Sequence, residues 1–124
     1  MPASVVHLAN LTTTWVRAAA VVSAATDLAT YVDLSGYEGV VTFIWTGGAI
    51  TGTGDCTLTD CATSGGSYVA ITGAAATQVT SANQVRSISV DTRNVKRYVI
   101  ASTVVGTTSW AFGICLIGQK KVTG

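Results

Sequence analysis

Apolar and polar residues alternate with period two along most of this chain, and a helical i, i+3, i+4 stripe seldom appears. The pattern predicts strands over Ser4–Leu8, Trp15–Val22, Ala29–Leu34, Val40–Trp45, Cys56–Cys61, Tyr68–Thr72, Gln84–Val90, Tyr98–Val105 and Ser109–Ile117. Turn signals fall between them at Ser35-Gly36, Gly47-Gly48, Gly52–Gly54, Ser64-Gly65-Gly66, Arg93-Asn94 and Gly106. About eight short strands with turns every 8–12 residues predict an all-β chain folded as a single-domain antiparallel β-sandwich, jelly-roll or Ig-like. Residues 1–30 read as an N-terminal arm with the first strands, and 31–124 as the sandwich body. The one competing helix, Arg17–Ala29, is rich in Ala but contains Val21-Val22 and lacks a clear cap.

The faces of individual strands are legible. Cys56 and Leu58 point inward while Thr57 and Thr59 point out; Arg86, Ile88 and Val90 share one face, and Val85, Ser87 and Ser89 the other. Two segments, "VVTFIW" and "WAFGICLIG", are apolar on both sides. Such a strand is central in a sandwich with a covered outer face, or belongs to a subunit interface. The first runs into "TGGAITGTG", a tract with no charge, which reads as a flexible hairpin or surface loop.

Charge sharpens this picture. Only 10% of the 124 residues are Asp, Glu, Lys or Arg, the net charge is +1, and 48% are hydrophobic, against about 25% charged in an average domain. Thr, Ser, Gly and Ala must therefore cover the outside, and colloidal repulsion is weak. Much of the surface is expected to meet other subunits. "AAAVVSAATDLATYV" is broken by Asp27 and follows Arg17, so no membrane span is expected, and "MPASVVHLANLTTTW" lacks the regions of a signal peptide. Three cysteines, Cys56, Cys61 and Cys115, read as small buried hydrophobes and not as a disulfide framework.

Candidate chemistry is sparse. His7 is the one histidine and no GxSxG elbow is present. Neither CxxC nor HxxxH spacing occurs, and "DCTLTD" lacks the Gly and closing Glu of a calcium loop. The glycine tract has no Lys for a phosphate loop. The cluster "DTRNVKRY" offers Arg93, Lys96 and Arg97, but Asp91 sits beside them, so a solvated turn or a rim of ion pairs to a neighbour is expected before a nucleic-acid contact. An enzyme, a metal site and a cofactor are not expected.

The run from Val32 to Ala74, with "NVKRYVIASTVVGTTSWAFGICLIGQKK" after a spacer, resembles a family of small structural proteins of tailed bacteriophages. The likeness rests on "D-x-x-G-Y-x-x-V" (Asp33, Gly36, Tyr37, Val40), the hairpin at Gly65-Gly66-Ser67, "KRYV" (Lys96 to Val99) and the ending Gly118 to Lys121. It covers roughly residues 31–121; the hairpin "TSGGS" stands where that family more often carries acidic residues. The resemblance implies a virion component made in the host bacterial cytoplasm: a head decoration (cement) protein that binds the major capsid protein and itself, as a dimer or trimer. Nucleic acid, membrane and small-molecule substrates are not among the expected partners. A displayed host- or glycan-binding β-domain and a tail or neck component are the alternatives. Candidate interface residues are Val5, Val6 and Leu8 on the arm, then Trp15, Arg17, Trp45, Arg93, Lys96, Arg97 and Trp110, with core packing the competing role of each tryptophan.

Overall fold

A computed structural model describes residues 11–121. The described residues are all-β: β1 (Leu11–Leu28), β2 (Val32–Asp33), β3 (Tyr37–Cys61), β4 (Val69–Ala75), β5 (Val85–Asp91) and β6 (Tyr98–Lys120). They form one antiparallel sheet in which β6 lies between β1 and β3; β2 extends the β1 side of β6, and β4 and β5 both pair with the far side of β3.

The helix that competed over Arg17–Ala29 does not form, because β1 runs through it in register with β6 from Leu11↔Gln119 to Leu28↔Ser102. Ala29–Leu34 is strand only at Val32–Asp33 and then closes into a 3-10 turn, where the Asp33 side chain accepts from the Ser35 amide. Residues 11–28 thus belong to the body. Ser4–Leu8 and His7 lie outside the described residues.

The long strands cannot be straight. Trp45 donates from Nε1 to Thr103 Oγ1 at 2.8 Å, yet Thr103 stands in register with Cys56, eleven residues further along β3. In a straight strand that separation is about 36 Å. Arg17 and Asp27, ten residues apart on β1, likewise form an ion pair at 2.8 Å. The sheet is folded over on itself. Its front layer holds the first half of β1, the second half of β6, the first half of β3, and β5. Its back layer holds the second half of β1 with β2, the first half of β6, the second half of β3, and β4.

The two layers of the expected sandwich are therefore halves of one continuous sheet, and the predicted strand pairs Val40–Trp45/Cys56–Cys61 and Tyr98–Val105/Ser109–Ile117 are each one bent strand. Register shifts mark the bend on all three long strands, at Ser23/Ala25, at Thr51/Gly52 and opposite Thr107, which has φ 75°.

The glycine tract is thus not a loop. It is the part of β3 that turns the corner, and its glycines are set by Trp110. A Cβ on Gly54 would stand 2.4 Å from the indole, and one on Gly47 2.9 Å from it. Gly52 takes φ +113°, which favours glycine. The strand wraps the ring closely only because these side chains are absent. Inward residues fill the space between layers: Val41, Phe43 and Trp45 from the front, Cys56, Leu58, Val99, Ala101 and Val105 from the back, and Phe112, Ile114 and Leu116 along β6, all buried.

Candidate functional site

Alternation on the front layer places one residue set in the core and the other outside. The outward set on β3 is Val40, Thr42, Ile44 and Thr46. Their register partners are Ile117, Cys115 and Gly113 on β6 and Asp91 (beside Val40), Ser89, Ser87 and Val85 on β5. On β1, Thr13 and Trp15 stand beside Ile117 and Cys115, and Val21 beside Ala111. Between Ala111 and Ile117 this four-stranded face carries no charged side chain. With strands about 4.8 Å apart and a rise of about 3.3 Å per residue, the charge-free area is on the order of 400 Å².

Trp15 dominates this face. It is 55% exposed, and its ring reaches over β6, with Cζ3 2.6 Å from where a Gly113 Cβ would be. Glycine at 113 lets the indole lie against the backbone. Val21 and Val40 are also exposed, at 71% and 56%. Three hydroxyls of the face are already engaged: Thr46 donates to the Gly113 carbonyl at 3.3 Å, and Thr42 and Ser89 share a 2.8 Å hydrogen bond. Covering them with a partner costs little, because they have less water to lose than free hydroxyls. The back layer is similar in kind, with Thr57 and Thr59 bonded to the Ser102 and Ile100 carbonyls and Leu28 and Val104 exposed, but its aromatics, Tyr31 and Tyr98, pack on each other at the charged end, and it carries Asp55.

Charge collects where the strand ends meet, opposite the bend. Asp33, Glu38, Asp60, Asp91, Arg93, Lys96, Arg97, Lys120 and Lys121 all lie there, nine of the thirteen charged residues. Five cations against four carboxylates leave +1. Most are paired. Arg97 grips Asp33 through two bonds of 2.9 Å, and its guanidinium holds the Asp33 carboxyl well below the usual carboxylate range. Arg93 does the same for Asp91 at 2.8 Å, bringing that carboxyl to about 2. Asp60 accepts from the Lys96 amide at 2.9 Å. A groove of about 540 Å³ joins this end to the front face, between Leu11, Val40 and Ile117 on one side and Asp91 and Arg93 on the other.

The expected interface residues separate into three groups. Val5, Val6 and Leu8 lie outside the described residues. Trp45 and Trp110 are both 0% exposed and are core residues, not surface anchors. Trp45 is held by Thr103, and Trp110 by the glycine cradle and by Phe112, with ring centroids 4.7 Å apart. The Trp110 Nε1 proton finds no acceptor among the described residues. Trp15 is exposed on the front face, and Arg93, Lys96 and Arg97 sit at the charged end, Lys96 and Arg97 beside Asp60 and Asp33 of the back layer. Arg17 lies between the layers at the β1 edge, 5.3 Å from the centroid of Phe112 and bonded to Asp27.

Sequence reasoning did not name Val40, Ile44, Cys115 and Ile117 as interface candidates, although the two-sided apolar strands that carry them were the signal. Cys56 is buried, and burial pushes its thiol up to about 12, which leaves it unreactive. Among the described residues no group of three or more His, Cys, Asp or Glu is placed to hold a metal ion, and no helix is long and apolar enough to cross a membrane. No family model and no curated protein matches this chain.

Proposed function

We propose that this chain is a non-enzymatic structural protein of a virion, a capsid decoration protein that binds the lattice of major capsid protein from outside and stabilises the head. The observation that carries the reading is the charge-free front face with Trp15 lying on it. Interface cores are depleted of charge and enriched in aromatics, and their rims are polar. This molecule has that arrangement, with an apolar and hydroxyl-bearing face grading into an ion-paired end. The resemblance in strand order and turns to tailed-phage structural proteins supplies the kind of partner. Self-association as a dimer or trimer belongs to the same proposal, because a repetitive lattice rewards a multivalent binder.

A displayed host- or glycan-binding domain draws less support. Such a domain would bind through loop tips such as Gly47–Gly54, and that tract is strand wrapped around a buried indole. A tail or neck component would use the same face, and electron microscopy of particles carrying labelled protein separates head from tail. The test of the face is co-sedimentation with emptied shells. Trp15→Ala and Ile44→Lys should each weaken binding by 30-fold or more, the effect of about 2 kcal/mol at an interface centre. Both variants should keep the far-UV spectrum of the parent. Folded variants that sediment as the parent does would refute the assignment of the face.

A further inference from the structure

Among the described residues, the outer edge of β1 is unpaired along eighteen residues, Leu11 to Leu28. Exposed edges are usually blocked by Lys, Pro or an inward charge. This one has no Lys and no Pro; register shifts interrupt it at Trp15/Arg17, Arg17/Ala20 and Ser23/Ala25, and its two charges, Arg17 and Asp27, are bonded to each other. Arg17 meets Asp27 across the two layers, so Val22, midway between them in sequence and the register partner of Trp110, lies beside the bend that the Ser23/Ala25 register shift marks.

We propose that this edge pairs with the same edge of a second copy of the chain, about a two-fold axis running along the strands. The first half of β1 in one copy then lies antiparallel to the second half in the other, and both layers continue across the dimer. Setting Arg17 level with Asp27 across the two layers fixes the register, so that residue i stands opposite residue 44 − i of its partner. Arg17 faces the partner's Asp27, and the partner's Arg17 faces Asp27. Each charge keeps its own-chain partner and gains another, because Arg17 and Asp27 retain unused donors and lone pairs. An inward charge pair excludes a strand that does not present the complement; the strand that presents it is this one, reversed. A shifted register leaves both pairs unmatched between layers, a like-charge and desolvation cost that selects one alignment. Antiparallel pairing over this length supplies on the order of ten backbone hydrogen bonds, as many as a whole typical interface.

This deepens the self-association proposed above and does not depend on what the front face docks against. Val22 lies at the dyad and meets its own copy, so Val22→Cys should form a disulfide-linked dimer under mild oxidation, while the parent, with its three native cysteines, gives none at the same concentration. The charge register is tested by mixing. Arg17→Asp and Asp27→Arg should each be monomeric by light scattering, because each sets like charges opposite one another across the dyad. An equimolar mixture should form heterodimers, since the two carboxylates on β1 of one variant then face the two guanidinium groups on β1 of the other. If either variant fails to fold, the Val22→Cys cross-link decides alone. A parent that stays monomeric at millimolar concentration overturns the proposal. So does a dimer that does not cross-link at residue 22, although self-association would then stand on another surface.

Discussion

Replacing Gly54 by Ala isolates the contact around which the sheet folds. Gly54 is buried, and its backbone is pinned from both directions: its amide donates to the Val79 carbonyl at 2.9 Å and its carbonyl accepts from the Val79 amide at 2.8 Å. Its φ is not positive, so alanine meets no conformational penalty there. The whole effect is steric. The new methyl would lie 2.4 Å from Trp110 Cε3 and 2.6 Å from Cζ3, and neither the strand nor the fully buried indole has room to retreat. Overpacking of this kind costs about 1–3 kcal/mol, a Tm lower by roughly 4–15 °C for a domain of this size. Gly48→Ala is the control from the same tract. Its methyl meets Ala111 at an ordinary 3.7 Å, so stability should be unchanged or raised by up to about 1 kcal/mol. Thermal melts followed by circular dichroism read both. In a Trp110→Leu background the Gly54→Ala penalty should shrink by at least about 1 kcal/mol, because the clashing ring is gone. A Gly54→Ala protein that melts with the parent, or a penalty that survives loss of the indole, would refute the cradle.

Acid should weaken the charged end in a defined window. Asp33 and Asp91 are held below the ordinary value by Arg97 and Arg93, so their contribution is fully present above about pH 4 and is lost as pH falls toward about 2. Both pairs are partly exposed, so the decline should be shallow and should flatten in high salt; an equal decline in an Asp33→Asn/Asp91→Asn variant would show that the pairs are not its source. Maleimide labelling with mass spectrometry should modify Cys115, which is partly exposed on the front face, and leave Cys56 untouched until the protein unfolds. Cys115 should become protected on binding a shell, and unchanged labelling there would count against the face.

Period-two patterning made the strands and their facing legible, because burial in a two-layer fold follows alternation residue by residue. Cys56 and Leu58 are buried and Thr57 and Thr59 are not, as are Ile88 and Val90 against Ser87 and Ser89. Continuity was not legible. Gly and Thr at Gly47–Gly54 carry the same signal whether the chain leaves the sheet in a loop or bends within it. The choice between these was made by Trp110, which is distant in sequence and supplies the body around which β3 turns. The same long-range contact hid the fate of the tryptophans. Trp45, Trp110 and Trp15 all sit in apolar strands, and only pairing across the sheet decides that the first two point between the layers and the third lies on the outside over Gly113. The charged end was half visible: "DTRNVKRY" gave the cations, while Asp33 and Asp60 reach them only through tertiary structure.

The central claim is that this protein acts by covering and being covered, and that its binding stabilises an assembled shell. A ligand that binds only the assembled state stabilises it by about 2.7 kcal/mol per site at a hundredfold excess over Kd. The direct measurement is the temperature at which shells release their contents, with the protein absent and with its sites saturated. The account predicts a higher release temperature for saturated shells, and no such gain when Ile44→Lys protein is added at the same concentration. Identical release temperatures with and without the bound parent protein would contradict it.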